Sequence, residues 1–93
     1  MGRYLWAMGV TRERIAGEVV RLCEARGPGK TVCPSEVARA LEAEEAAWRA
    51  LMPEVREVAA GLARKGRIAV YRKGRVVDDP VEDGPIRLGL PPE

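Results

Sequence analysis

Between Arg64 and Arg75 the chain carries six cations in twelve residues, Arg64, Lys65, Arg67, Arg72, Lys73 and Arg75, with no acid among them. Cations at that density suit a phosphate backbone, because Lys and Arg that neutralise phosphates release the counterions condensed on a nucleic acid. Arg56 and Glu57 lie just upstream and complete a candidate nucleic-acid-binding set. In a major groove Arg56 or Arg64 could read guanine and Glu57 could accept from cytosine. The chain has no Asn and no Gln, so the bidentate contact those residues make to adenine is closed to it. Any readout of double-stranded DNA should therefore be weak or G·C-leaning, carried by shape and backbone, and steep in salt. Against this stand Glu54 and Glu57 on the same stretch, and the acidic run from Asp78 to Asp83. The plain alternative is a solvated charged face.

Three further sets bear on chemistry. Arg39, Arg49, Arg56 and Arg87 could clamp a phosphate or carboxylate bidentately, or could simply pair with Glu36, Glu42, Glu45 and the acidic run. Cys33 precedes a helix start, where the dipole lowers a thiol pKa, and Cys23 could resolve it; a plain buried thiol is the simpler expectation. Two Cys without His give no four-ligand metal site. His, the commonest general base, is absent, and Ser35 has no base to activate it. No catalytic residue, metal site or cofactor is expected, and the chain reads as a non-enzyme.

Ninety-three residues suffice for one small domain but leave little room for a buried catalytic cleft. Hydrophobic content is 46% with only four aromatics, Tyr4, Trp6, Trp48 and Tyr71, so the core must be built from Val, Leu, Ile and Ala. Net charge is only +2, so the distribution of charge carries more meaning than its sum. Of the 16 basic residues 13 are Arg, a bias compatible with a thermophile or a GC-rich genome. Two cysteines are no disulfide framework. No apolar run reaches transmembrane length, and MGRYLWAMGV lacks an evident cleavage site, so a cytoplasmic protein without a membrane is expected.

The elements that must position these residues follow from period and punctuation. Residues 1–10 form an apolar arm whose Tyr4, Leu5 and Trp6 are suited to dock on the domain, a protein partner or a second copy. From residue 11 to 93 the chain reads as a single winged-helix-like domain. Thr11 is the expected N-cap of a first helix that buries Ile15, Val19, Leu22 and Cys23 and stops at Gly27-Pro28-Gly29. Thr31-Val32-Cys33 suits a brief edge pairing with a later hairpin. Pro34 and Glu36 open a second helix with Val37, Ala38 and Leu41 inward.

Ala46–Leu51 is expected as a short helical piece with Trp48 inward. A boundary or kink should fall at Met52, because a residue before proline resists the α region. Met52–Gly66 is then the third helix, in the recognition position, with Val55, Val58, Ala59 and Leu62 inward and Glu57, Ala60, Gly61 and Arg64 outward. Small Ala60 and Gly61 would allow close approach to a groove. Ile68–Arg72 should pair antiparallel with Ile86–Leu90, and the residues between form a wing; Lys73-Gly74 signals a turn, so Arg75-Val76-Val77 either closes a tight hairpin or joins a longer loop. The fold class is α+β, mainly helical: a winged helix-turn-helix of three helices plus a small antiparallel sheet.

The strings Cys33-Pro34-Ser35-Glu36-Val37-Ala38-Arg39, Trp48-Arg49-Ala50-Leu51-Met52-Pro53-Glu54-Val55-Arg56, Lys65-Gly66-Arg67-Ile68 and Gly84-Pro85-Ile86-Arg87-Leu88 together resemble a small bacterial family known as domain of unknown function 3253. The resemblance spans roughly residues 12–90 and implies a compact winged-helix-like fold, but no reaction. The functional expectation is a DNA-binding or regulatory module acting through the helix end and the wing. Its competitor is a protein-protein interaction module that binds no nucleic acid.

Overall fold

The computed structural model describes residues 10–77 and 84–92. Its elements are α1 (Arg12–Arg26), β1 (Thr31–Val32), α2 (Pro34–Leu41), α3 (Glu45–Arg64), β2 (Ala69–Arg72), β3 (Arg75–Val76) and β4 (Arg87–Gly89). The fold is α+β and mainly helical, with three helices packed together and one four-stranded antiparallel sheet against α1 and α3, in a winged-helix-like order. Tyr4, Leu5 and Trp6 of the arm, and the acidic run 78–83, lie outside the described residues.

Local signals set the first two helices. The Thr11 hydroxyl accepts from the Arg14 N–H at 3.1 Å, satisfying one of the donors that a helix start leaves open. Ile15, Val19 and Cys23 are buried on one stripe, and Leu22 packs half-buried beside them. Gly27 closes α1 at φ 96°, its N–H on the Cys23 carbonyl at 3.0 Å. α2 begins on Pro34, and the Glu36 carboxylate reaches back to accept from the Cys33 N–H at 3.1 Å.

The expected break at Met52 is absent. α3 runs unbroken from Glu45 to Arg64 with Pro53 inside it. Proline in a helix interior costs about 3 kcal/mol. Leu51, Val55 and Val58 repeat at i, i+4 and i+7 across that proline and all three are buried. At about 1.5–3 kcal/mol for each such side chain, continuity wins. Pro53 and Arg49, the residue four back, are both exposed, so water can satisfy the carbonyl that loses its donor.

A second correction concerns the width of that helix. Ala60 was expected outward, yet it is fully buried, as is Ala59, and Val58 nearly so. Three consecutive residues span about 200° of a helix, more than any single stripe. α3 packs against α1, α2 and β2 together, so its second half is enclosed on several sides.

In the sheet, ordered β1-β4-β2-β3, every pairing is antiparallel. The register aligns Val32, Leu88 and Val70 in one row across three strands, all at most 1% exposed. That row faces the helices. The expected pairing of the two outer segments is present as β2 with β4, although β2 starts at Ala69 rather than Ile68. Strict alternation fails because Ala69 is buried along with Ile68 and Val70; it borders one groove with Val76, Pro91 and Pro92. The turn after β2 resolves as a tight hairpin, with Arg72 opposite Arg75. Lys73 at φ 53° and Gly74 at φ 81° form its two-residue turn, the left-handed pair that a type I′ hairpin requires.

Candidate nucleic-acid interface

The hairpin turn gathers three cations into four residues. Arg72 and Arg75 face each other across the ladder, and Lys73 lies between them in the turn. Like charges directly opposite in a sheet destabilise it, and a non-glycine residue in the left-handed region costs about 1 kcal/mol. Lys73 and Arg75 are exposed and Arg72 is half-buried. Arg72 reaches Gly84: its guanidinium lies in van der Waals range of the space above that residue. Arg56 reaches the same place, its Nη2 donating to the Gly84 carbonyl at 3.0 Å. Two residues of the sequence-derived set, Arg56 and Arg72, thus converge on the residue where the chain returns toward β4.

The cations at the end of α3 diverge. Arg64 is exposed and borders a groove with Val76, Val77, Pro91 and Pro92, on the hairpin side. Lys65 is exposed in the turn that follows α3. Arg67 instead borders a groove with Ala16, Gly17, Arg21, Glu24 and Leu62, on the α1 side. The stretch that looked like one basic patch is therefore two, with Arg64, Lys73 and Arg75 on the hairpin side and Arg67 apart from them.

Acids on α3 behave differently from expectation. Glu54 and Glu57 share one partner, Arg12 at the start of α1, at 2.8 and 3.3 Å. These pairs are exposed and contribute little to stability, but they offset the two charges that would repel a phosphate. They also occupy Glu57, the residue suited to accept from cytosine. Arg12 lies 45 positions from Glu57, and no local signal in the sequence could have marked it.

The uninterrupted α3 also relocates the end of the helix that would enter a groove. A three-residue turn, 42–44, separates α2 from α3, and helix-turn-helix proteins contact base edges with the N-terminal residues of the second helix. Here that end carries Glu42, Glu44 and Glu45, with Glu45 paired to Arg49 at 2.7 Å. Next to it the guanidinium carbons of Arg39 and Arg49 lie 5.0 and 5.2 Å from the centroid of Trp48, a double cation–π contact. Of the carboxylate pairings expected for the four-arginine set, the described residues include Arg49 with Glu45. Arg56 takes a carbonyl, Arg39 an aromatic ring, and Arg87 both the hydroxyl and the carbonyl of Thr31 at 2.9 and 3.3 Å. Glu36 pairs with Arg26 instead, at 2.6 Å.

The thiols part company in environment. Cys23 is fully buried, and burial pushes its pKa up. Cys33 is half-buried and accepts a hydrogen bond from the Ser35 hydroxyl at 3.2 Å. Among the described residues no three His, Cys, Asp or Glu side chains are grouped to hold a metal ion, and no helix is long and apolar enough to cross a membrane.

A family model described as a protein of unknown function, DUF3253, matches residues 12–91. No curated protein matches the chain.

Proposed function

The chain belongs to the DUF3253 family, and from that premise we propose that it is a non-catalytic winged-helix module that grips the backbone of double-stranded DNA through its β2–β3 hairpin. The observation that carries this reading is the hairpin turn. Lys73 occupies a left-handed position that Asn, Asp or Gly would fill at lower cost, and Arg72 faces Arg75 across the ladder. The left-handed Lys73 costs stability, and exposed Lys73 and Arg75 carry two positive charges at the turn. A partner with closely spaced negative charges suits those two exposed cations. Arg64 and Lys65 extend the contact along the helix end. Base readout is weak, because Glu57 is held by Arg12 and the start of α3 is acidic, and what remains leans to G·C, because the chain has no Asn or Gln for adenine.

Fluorescence anisotropy with G·C-rich and A·T-rich duplexes over a salt series tests this. The expected result is binding with a negative salt slope, weakened several-fold by Lys73→Ala and by Arg75→Ala for both duplexes alike. No binding at low salt overturns it.

A second reading is favoured by the acids Glu42, Glu44 and Glu45 and by Val76, which is 49% exposed on the edge strand β3. On that reading the module docks a protein partner or a second copy, with Tyr4, Leu5 and Trp6 contributing, and binds no nucleic acid.

A further inference from the structure

The outer face of the sheet carries a second basic feature. Strand alternation puts Thr31, Gly89, Ala69, Tyr71 and Arg87 on the face away from the Val32–Leu88–Val70 row. There Gly29, Lys30, Thr31, Tyr71, Gly74 and Arg87 line a pocket of about 190 Å³. Its walls come from the turn before β1, the hairpin turn and β4, so the tertiary fold alone assembles it.

The pocket is held rigidly. Arg87 donates through Nε to the Thr31 hydroxyl and through Nη2 to the Thr31 carbonyl, which also accepts from Arg26 at 2.9 Å. Tyr71 donates its hydroxyl to the Leu90 carbonyl at 3.0 Å, so its ring crosses Gly89. Glycine is needed there: a Cβ would stand 2.9 Å from the Lys30 carbonyl oxygen and 3.2 Å from Tyr71 Cε1. The ring is therefore a fixed wall.

Charge is left over. Arg26 and Arg87 lie around one carboxylate, Glu36, which Arg26 already holds at 2.6 Å, and Lys30 lines the pocket beside Arg87. Among the described residues Lys30 and Arg87 have no carboxylate partner, and Arg87 Nη1 makes no hydrogen bond. A carboxylate would balance one of these cations, whereas a phosphate group, at about −1.5 to −2 near neutral pH, balances both. The planar guanidinium and the ammonium supply a directed and a point-charge contact to its oxygens.

We infer that this pocket binds a phosphate group, through Lys30 and Arg87 with Tyr71 as its wall. The group is either a free phosphate or phosphomonoester, or one phosphate of a nucleic-acid backbone. The site uses neither the Lys73 nor the Arg75 side chain, although Gly74 between them lines it, and it does not depend on the hairpin reading.

The test is a titration of the ¹⁵N-labelled full chain, followed by amide shifts. The probes are inorganic phosphate, a 5′-phosphorylated dinucleotide, a duplex lacking terminal phosphates, and acetate at matched ionic strength. Shifts at Lys30, Thr31, Gly74 and Arg87 with phosphate but not acetate are expected, weakened at least five-fold in Lys30→Gln. Lys30 is exposed and its side chain has no partner among the described residues, so that variant keeps the fold. A response to inorganic phosphate or the dinucleotide assigns a free phosphate; a response to the duplex alone assigns a backbone phosphate. Acetate matching phosphate, shifts confined to other residues, or no loss in Lys30→Gln overturns the inference. Duplex-induced shifts at Lys73 and Arg75 that persist in Lys30→Gln, while those at the pocket are lost, separate this site from the hairpin.

Discussion

Arg26 Nη2 lies 2.6 Å from Glu36 Oε1, tying the last turn of α1 to the first turn of α2. The same carboxylate accepts the Cys33 N–H, so one side chain caps its own helix and clamps another. Arg26 in turn reaches the Thr31 carbonyl that Arg87 also holds. Helix, strand and phosphate pocket therefore share this joint.

The joint predicts a pH dependence. The Arg26 guanidinium, with the Cys33 N–H, holds the Glu36 carboxyl below its ordinary value of 4.5. A carboxylate whose folded pKa is depressed stabilises the fold above the unfolded value, and that contribution disappears as pH falls through the folded one. Urea midpoints should fall below about pH 4.5 in the wild type. In Glu36→Gln the fall should be shallower, from a lower plateau at pH 7; identical slopes would remove Glu36 as the cause.

Removing the proline tests the continuity of α3. Pro53 is exposed within the helix, so Pro53→Ala should restore a backbone hydrogen bond and raise stability by about 1–3 kcal/mol. Chemical denaturation measures it. A neutral or destabilising result would mean that Pro53 marks a real boundary.

At the hairpin, stability and binding should move in opposite directions. Lys73→Asn relieves the left-handed position and should stabilise by up to about 1 kcal/mol. The same change should weaken duplex binding, because it removes a tip cation. Thermal denaturation and anisotropy on one sample compare the two.

Gly89→Ala should destabilise by about 1–3 kcal/mol, the usual cost of forcing extra volume into a packed site. The new methyl would press on the Lys30 carbonyl and the Tyr71 ring. Either β1 or Tyr71 must move, and near-ultraviolet circular dichroism should register the change in Tyr71.

The two thiols should react at different rates. Cys23 is enclosed in the core with its pKa pushed up by burial, whereas Cys33 is half-buried. A disulfide exchange reagent near pH 8 should modify Cys33 first and reach Cys23 only at the rate of unfolding. Equal rates would contradict the burial of Cys23. Because the folded Cys23 pKa is raised, its contribution also declines above the unfolded value of about 9.

Local chemistry accounts for what the chain alone determined. Thr11, Pro34, Glu36 and Gly27 act on the few residues next to them, so capping rules placed α1 and α2 correctly. The hydrophobic period gave the core faces of the helices, and the pairing of the two strand segments followed from their alternation. The six-cation stretch, too, was visible as composition.

Tertiary packing decided the rest. Leu51 and Val55 share a core that holds α3 straight through Pro53, and that burial outweighs a local preference against helix. The same enclosure hides Ala60. Backbone geometry then separates neighbours in sequence: Arg64 turns toward the hairpin and Arg67 toward α1. Distant residues are brought together instead, Arg12 with Glu57 and Lys30 with Arg87. Charge patterns along a chain count residues but carry no direction, and direction is what makes a cluster of cations into a site.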